Sequence, residues 1–162
     1  MPGKVIGISM NVGYPGTQSR QADAIIQNRV ADGAIAFGLA VKLTNQNKWK
    51  QIETGDADTD VAGIAVREVV QTNVYNPQSN PDYLDGTPAD VMTRGNCIVK
   101  CQKGTPAAGS AVYVRITADN THPEYLVGGF EADADDDKTV QIPNIEWTTG
   151  AVCLYNGSGG TS

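Results

Sequence analysis

The sequence predicts an all-β protein, a small β-sandwich or barrel-like domain carrying an extended N-terminal arm. Two observations lead there. Ile35, Phe37, Leu39, Val41 and Leu43 alternate with Ala34, Ala36, Gly38, Ala40 and Lys42, the period of two that puts successive side chains on opposite faces of a strand. Short apolar runs recur along the whole chain between clusters of Gly, Pro, Asn, Asp and Thr, the punctuation of short strands and turns.

The elements follow in order. Strands are expected near Lys4–Ile8, Ala34–Leu43, Lys48–Ile52, Val61–Val70, Ala89–Thr93, Cys97–Lys100, Ala111–Ile116, Tyr125–Phe130, Thr139–Ile142 and Ala151–Tyr155. The Ala34–Leu43 segment has one bulky and one small face, so a second layer can approach the small one closely. Thr105-Pro106 and Gly109-Ser110 make the turn before Ala111–Ile116, where Val112, Val114 and Ile116 share a face. Gly128-Gly129 marks a bend or bulge. Ser19–Val30 reads two ways. Ala22, Ile25, Ile26 and Val30 suit a short amphipathic helix capped by Ser19, and Ala24-Ile25-Ile26 suits a strand; the β surroundings favour the strand. Val12–Thr17 and the long polar stretch Thr72–Tyr83, with Pro77 and Pro81, read as loops, and long loops are usually functional or mobile. The tail Asn156–Ser162 has linker composition. The chain therefore divides into an arm over residues 1–20, one β domain over 21–155 and a flexible tail over 156–162.

A chain of 162 residues fits one domain and is long enough to bury about two thirds of its unfolded surface. No apolar run approaches the ~20 residues of a membrane helix, and the N-terminus lacks a signal-peptide core. The net charge of −6 with scattered basic residues argues against nucleic acid as a partner, because phosphate binding needs clustered Lys and Arg. Cys97, Cys101 and Cys153 read as reduced, buried small hydrophobes in a reducing compartment. On one strand Cys97 and Cys101 would sit two pleats apart, too far for an easy bridge.

Catalytic and ligand chemistry is thin. His122 is the single histidine, which removes His-rich zinc sites, and Cys-x3-Cys on a strand is poor ligand spacing, so no metal or cofactor is expected. Asp56–Asp60 and Asp133–Asp137 both carry Asp-x-Asp-x-Asp. They fail the EF-hand test, with Val61 and Arg67 in one and Lys138 and Asn144 in the other where Gly and Glu are required. Gly109-Ser110-Ala111 lacks the second glycine of a nucleophile elbow, and no phosphate-cradling loop is present. Nothing marks a particular carboxylate pair for glycoside hydrolysis. Trp49, between Lys48 and Lys50, and Trp147, after Glu146, are either half-buried strand residues or exposed platforms for a sugar or a partner.

Taken together, several segments resemble the head decoration, or structural cement, proteins of tailed bacteriophages. The set runs from the Gly/Pro-containing arm through Ser19-Arg20 and Asn28-Arg29 into Ile35-Ala-Phe-Gly-Leu-Ala-Val41. It continues with Gly55-Asp-Ala-Asp58 and Val61-Ala-Gly-Ile-Ala-Val66, Val91-Met-Thr-Arg-Gly95, Ile98-Val99 and Gly104–Val114, and ends at Ile145–Gly150. The terminal Cys153-Leu-Tyr-Asn-Gly-Ser158 departs from the charged last strand expected of such proteins. The resemblance implies a non-enzymatic β-sandwich or barrel-like (β-tulip-like) protein that sits on the outer capsid surface of a virion, after assembly in the host cytoplasm. Its implied partner is the major capsid protein, whose neighbouring subunits it bridges. A homo-oligomer is expected, a trimer before a dimer, with neither nucleic acid nor membrane as a partner. In this reading the arm adds a strand to a capsid sheet edge, anchored by Val5, Ile8, Met10 and Val12. Tyr14 and Pro15 fix its exit, and Arg20, at the end of the arm, is also a capsid-binding residue. The competing reading is a carbohydrate- or receptor-binding β module on a virion surface, resting on Trp49, Trp147 and the Thr72–Tyr83 loop. A hydrolase on a β-sandwich is the weakest of the three.

Overall fold

The structure, a computed structural model, describes residues 14–18, 23–67, 82–149 and 152–155. The strands among them are β1 (Ile25–Val30), β2 (Ile35–Ala36), β3 (Ala40–Leu43), β4 (Trp49–Gln51), β5 (Gly63–Ala65), β6 (Asp82–Tyr83), β7 (Pro88–Ile98), β8 (Ala111–Arg115), β9 (Phe130–Glu131), β10 (Thr139–Thr149) and β11 (Val152–Tyr155). The only helical pieces among the described residues are single 3-10 turns at Asp58–Asp60 and Asp136–Lys138. The protein is all-β, as expected.

The long strand β7 organises everything else. Its first half pairs antiparallel with β1 on one edge, from Val30 opposite Pro88 to Ile26 opposite Met92. On its other edge lies β5, with Ile64 opposite Met92 and Ala65 opposite Val91. Its second half pairs with β11, Val152 opposite Ile98 and Tyr155 opposite Gly95. Beyond β5 come β3 and β4; beyond β11 come β10, β8 and β9; β2 and β6 form a separate two-stranded piece. At the junction of the two halves the register shifts opposite Ile25/Ile26, and Gly95 takes φ +130°. A bulge and a glycine there let one strand bend from one half-sheet into the other.

The bend folds the two halves onto each other. One core lies between them, with Ile64 and Met92 from the first half and Val112, Val114, Phe130, Ile142 and Trp147 from the second. A second core lies on the opposite face of the first half: Ile35, Phe37, Val41, Trp49, Tyr83, Ala89 and Val91. Small residues make the close layers. Ala40, Ala65 and Ala89 are fully buried, and a Cβ at Gly63 would run into the Met92 carbonyl. The first half curls until Ala31, just past β1, forms a single parallel bridge with Trp49 of β4. The curl stops there, and the sheet does not close into a barrel.

Several expected boundaries move. Ala34–Leu43 is not one strand: it breaks into β2 and β3 at Gly38, which has φ +78°. Ala89–Thr93 and Cys97–Lys100 fuse into β7. Tyr125–Phe130 is mostly a turn in which the Gly128 N–H donates to Arg115 O at 2.7 Å and the Gly129 N–H to Leu126 O at 3.0 Å; only β9 follows it. Val61–Val70 shortens to β5 within the described residues. Thr139–Ile142 runs on to Thr149 through a register shift between Ile142 and Glu146, where Asn144 has φ +64°. Within the Ser19–Val30 segment, Ile25–Val30 form β1, and residues 19–22 lie outside the described residues. Lys4–Ile8 and most of the Thr72–Tyr83 loop lie outside the described residues, as does the tail.

Candidate functional site

Tyr14–Gln18 form a collar against the end of β7 and the segment after β5. The Gly16 N–H donates to Ile98 O at 2.8 Å, the Ile98 N–H to Thr17 O at 2.9 Å, and the Arg67 N–H to Gly16 O at 2.7 Å. Gln18 bridges Cys97 in antiparallel fashion. Gly16 thus sits between the end of β7 and the segment after β5. Its partner across the collar is Gly38, where an added Cβ would lie 2.7 Å from Gly16 N and 2.8 Å from Pro15 Cβ. Both glycines have positive φ, so two backbones meet where no side chain fits.

Arg67 seals the collar. Its guanidinium carbon lies 5.3 Å from the Tyr14 ring centroid and 5.1 Å from that of Phe37, within cation–π range. Its Nε donates to Pro15 O at 3.3 Å. Phe37 packs edge-on against Tyr83, centroids 4.9 Å apart, and the Tyr83 hydroxyl donates to Val66 O at 2.6 Å. The Tyr14 ring itself remains 62% exposed, anchored on one side and open on the other. Of the expected site residues, the structure places Tyr14 and Pro15 at this collar. Val5, Ile8, Met10, Val12 and Arg20 lie outside the described residues.

The groups that resemble chemistry are tied up within the fold. Asp56 of the first acidic run binds Lys42 Nζ at 2.7 Å. Asp135 of the second binds Lys103 at 2.7 Å and Arg115 at 2.6 Å, which holds its carboxyl down at about 2. Among the described residues no group of three or more His, Cys, Asp or Glu is placed to hold a metal ion. Cys97 is fully buried, and burial pushes its thiol up to about 12, far from the thiolate a nucleophile needs. Cys97 and Cys101 are both free thiols, and Cys101 lies beyond the end of β7. His122 sits in an exposed loop beside Glu124, 3.0 Å away.

Trp49 and Trp147 are 1% and 0% exposed, one in each core. Neither offers a platform to a sugar. Burial turns them into packing residues, and the binding-module reading loses the two side chains that carried most of it.

One exposed surface carries no local mark of strand alternation in the sequence. β1 is exposed along nearly its whole length, with Ile25, Ile26 and Val30 each more than a third exposed. A strand with both faces in solvent shows no clean hydrophobic alternation, and that is why Ser19–Val30 read ambiguously. The signal was present as three large aliphatic residues that no single strand face could bury together.

Comparison with known proteins agrees with this architecture. The family model described as structural cement protein (E217 gp24/Pam3 gp6) matches residues 2–161. A solved chain described under "The capsid of Myoviridae Phage XM1" shares the fold with a TM-score of 0.71. It is 13% identical, with 96% of this chain and 97% of that chain covered. Among curated proteins none matches the sequence.

Proposed function

Because the chain belongs to the structural cement protein family, we propose that it decorates the outer surface of a tailed-phage capsid and ties neighbouring major capsid subunits together, without catalysing a reaction. The observation that carries this reading is the collar. A binding arm works only if its root is rigid, since every loose residue at the root adds ordering cost on binding. Gly16, Gly38 and Arg67 fix the chain's departure point against both β5 and β7. Ahead of that point run Ile8, Met10 and Val12, at the period of two that shares one strand face, with Val5 on the other, as apolar anchors while the backbone adds a strand to a capsid sheet edge. Arg20 follows the collar. Decoration at many sites of a shell raises the effective concentration of each contact, so modest single contacts suffice. The acidic balance keeps such a protein from competing for packaged DNA.

The test is a truncation that ends before Tyr14. Protein lacking residues 1–13 keeps the collar, so it should fold and melt like the full chain, yet fail to co-sediment with undecorated shells. Full occupancy of shells by the truncated protein would overturn the arm's role.

A further inference from the structure

The inner edge of β1 is occupied, and its outer edge has no partner among the described residues. The Ala31 N–H donates to Thr87 O at 2.8 Å. With the β1–β7 register, this turns the odd-numbered residues of β1 toward β7 and leaves the N–H and C=O groups of Ile26 and Asn28 facing away. No described residue pairs with them. Past Val30 the same edge is taken, by the Ala31–Trp49 bridge and by the Asp32 N–H on Trp49 O at 2.7 Å. The open seat is therefore short and centred near Ile26. Free edges of soluble proteins are usually guarded by lysine, proline or an inward charge. This one instead carries Ile25 and Ile26.

The structure assigns this seat to a second copy of the chain: two β1 strands pair antiparallel about a two-fold axis at Ile26. Outward-facing residues must meet outward-facing residues, which places Ile26 against its own counterpart and Ala24 against Asn28. Asp23, whose carboxylate already binds Arg94 of its own chain at 2.5 Å, then faces Arg29 of the second copy at both ends, so that each carboxylate stands between two guanidinium groups. Electrostatics favours this partner. The whole chain carries −6, so two copies repel over most of their surface, but residues 23–30 and 88–94 hold only Asp23, Asp90, Arg29 and Arg94 and are locally neutral. Arg29 also has a donor to spare. Its guanidinium stacks on Trp49 at 5.2 Å and bonds Gln27 Oε1 at 3.2 Å, while its buried Nε has no partner among the described residues. Buried donors are rarely left so, and the facing carboxylate brings an acceptor to this guanidinium. The proposed contact is two-fold, whereas the sequence favoured a trimer before a dimer.

The pairing is tested on the full chain in solution without shells, so its failure is separate from failure of the capsid reading. Sedimentation velocity between about 1 and 200 µM should show a monomer–dimer equilibrium, since one strand pair is a small interface. Ile26→Lys places two cations on the axis and should weaken dimerisation at least tenfold while leaving the melting curve in place. Ile26→Cys, oxidised with copper–phenanthroline, should give a covalent dimer that the wild type does not give, because directly paired strand residues lie about 5.5 Å apart, inside the disulfide range. A monomer at every concentration overturns the pairing, as does a dimer indifferent to Ile26→Lys or a failure of Ile26→Cys to cross-link. A monomer whose Ile26→Lys variant loses shell binding would give the edge to a capsid strand instead.

Discussion

Arg115 and Glu131 form a fully buried ion pair, Nε to Oε1 at 2.6 Å, on the adjacent strands β8 and β9. The Arg115 guanidinium also reaches Asp135 at 2.6 Å and lies 5.1 Å from the Tyr125 ring centroid. One arginine thus holds β9, the Asp136–Lys138 turn and the 117–128 loop to one edge of the sheet. Glu131 Oε2 has no partner among the described residues, so the pair is tightly held but incompletely satisfied.

Removing one member of this pair leaves a buried, uncompensated charge. Arg115→Met is expected to cost about 3–5 kcal/mol, read as a lower urea midpoint. Combining it with Glu131→Leu should recover part of that loss, because an apolar pair of similar volume carries no desolvation penalty.

Asp135 makes stability depend on acid. Lys103 first, then Arg115, holds its folded pKa at about 2, below the roughly 3.9 of an unfolded Asp. The stability from this group is present above the unfolded value and is lost as pH falls through the folded one. The melting temperature should drop between about pH 5 and pH 2. Asp135→Asn should flatten that slope and lower stability at neutral pH.

Trp147 is the largest fully buried side chain of the core between the half-sheets. Trp147→Ala should cost about 3–5 kcal/mol. Lys50→Ala, at a partly exposed charge pair with Glu53, should shift stability by under about 1 kcal/mol. Chemical denaturation of both variants checks the contrast.

Gly38→Ala tests the collar. It forces a side chain into positive φ and toward Gly16 N, a strain of about 1–3 kcal/mol. Loss of protection at the Gly16 and Arg67 amides in hydrogen exchange should exceed the change at Val112 or Val114.

The sequence made the β class and most strand positions legible, because alternation in Ala111–Ile116 and turn signals between runs are local properties. Gly38 hid the break between β2 and β3: the alternation runs through it, and the turn exists only because Gly16, distant in sequence, packs against it. Arg94-Gly95-Asn96 separated two apparent strands that are one, since a bulge looks like an ending when the partner strands are unseen. The collar was half visible. Tyr14 and Pro15 were singled out as fixing the exit of the arm, but Arg67 carried no local mark, and its role depends on Phe37 and Tyr83 meeting in space. The two tryptophans show the converse: residue type suggested a platform, and long-range packing made them core.

Gly16 is hydrogen-bonded on one side to Ile98 and on the other to Arg67. A tug on the chain at Tyr14 therefore divides between the end of β7 and the segment just after β5 instead of peeling one away. Under the proposed attachment to a shell, a pull arriving at Tyr14 as the shell swells would be shared by both neighbours and not borne by one.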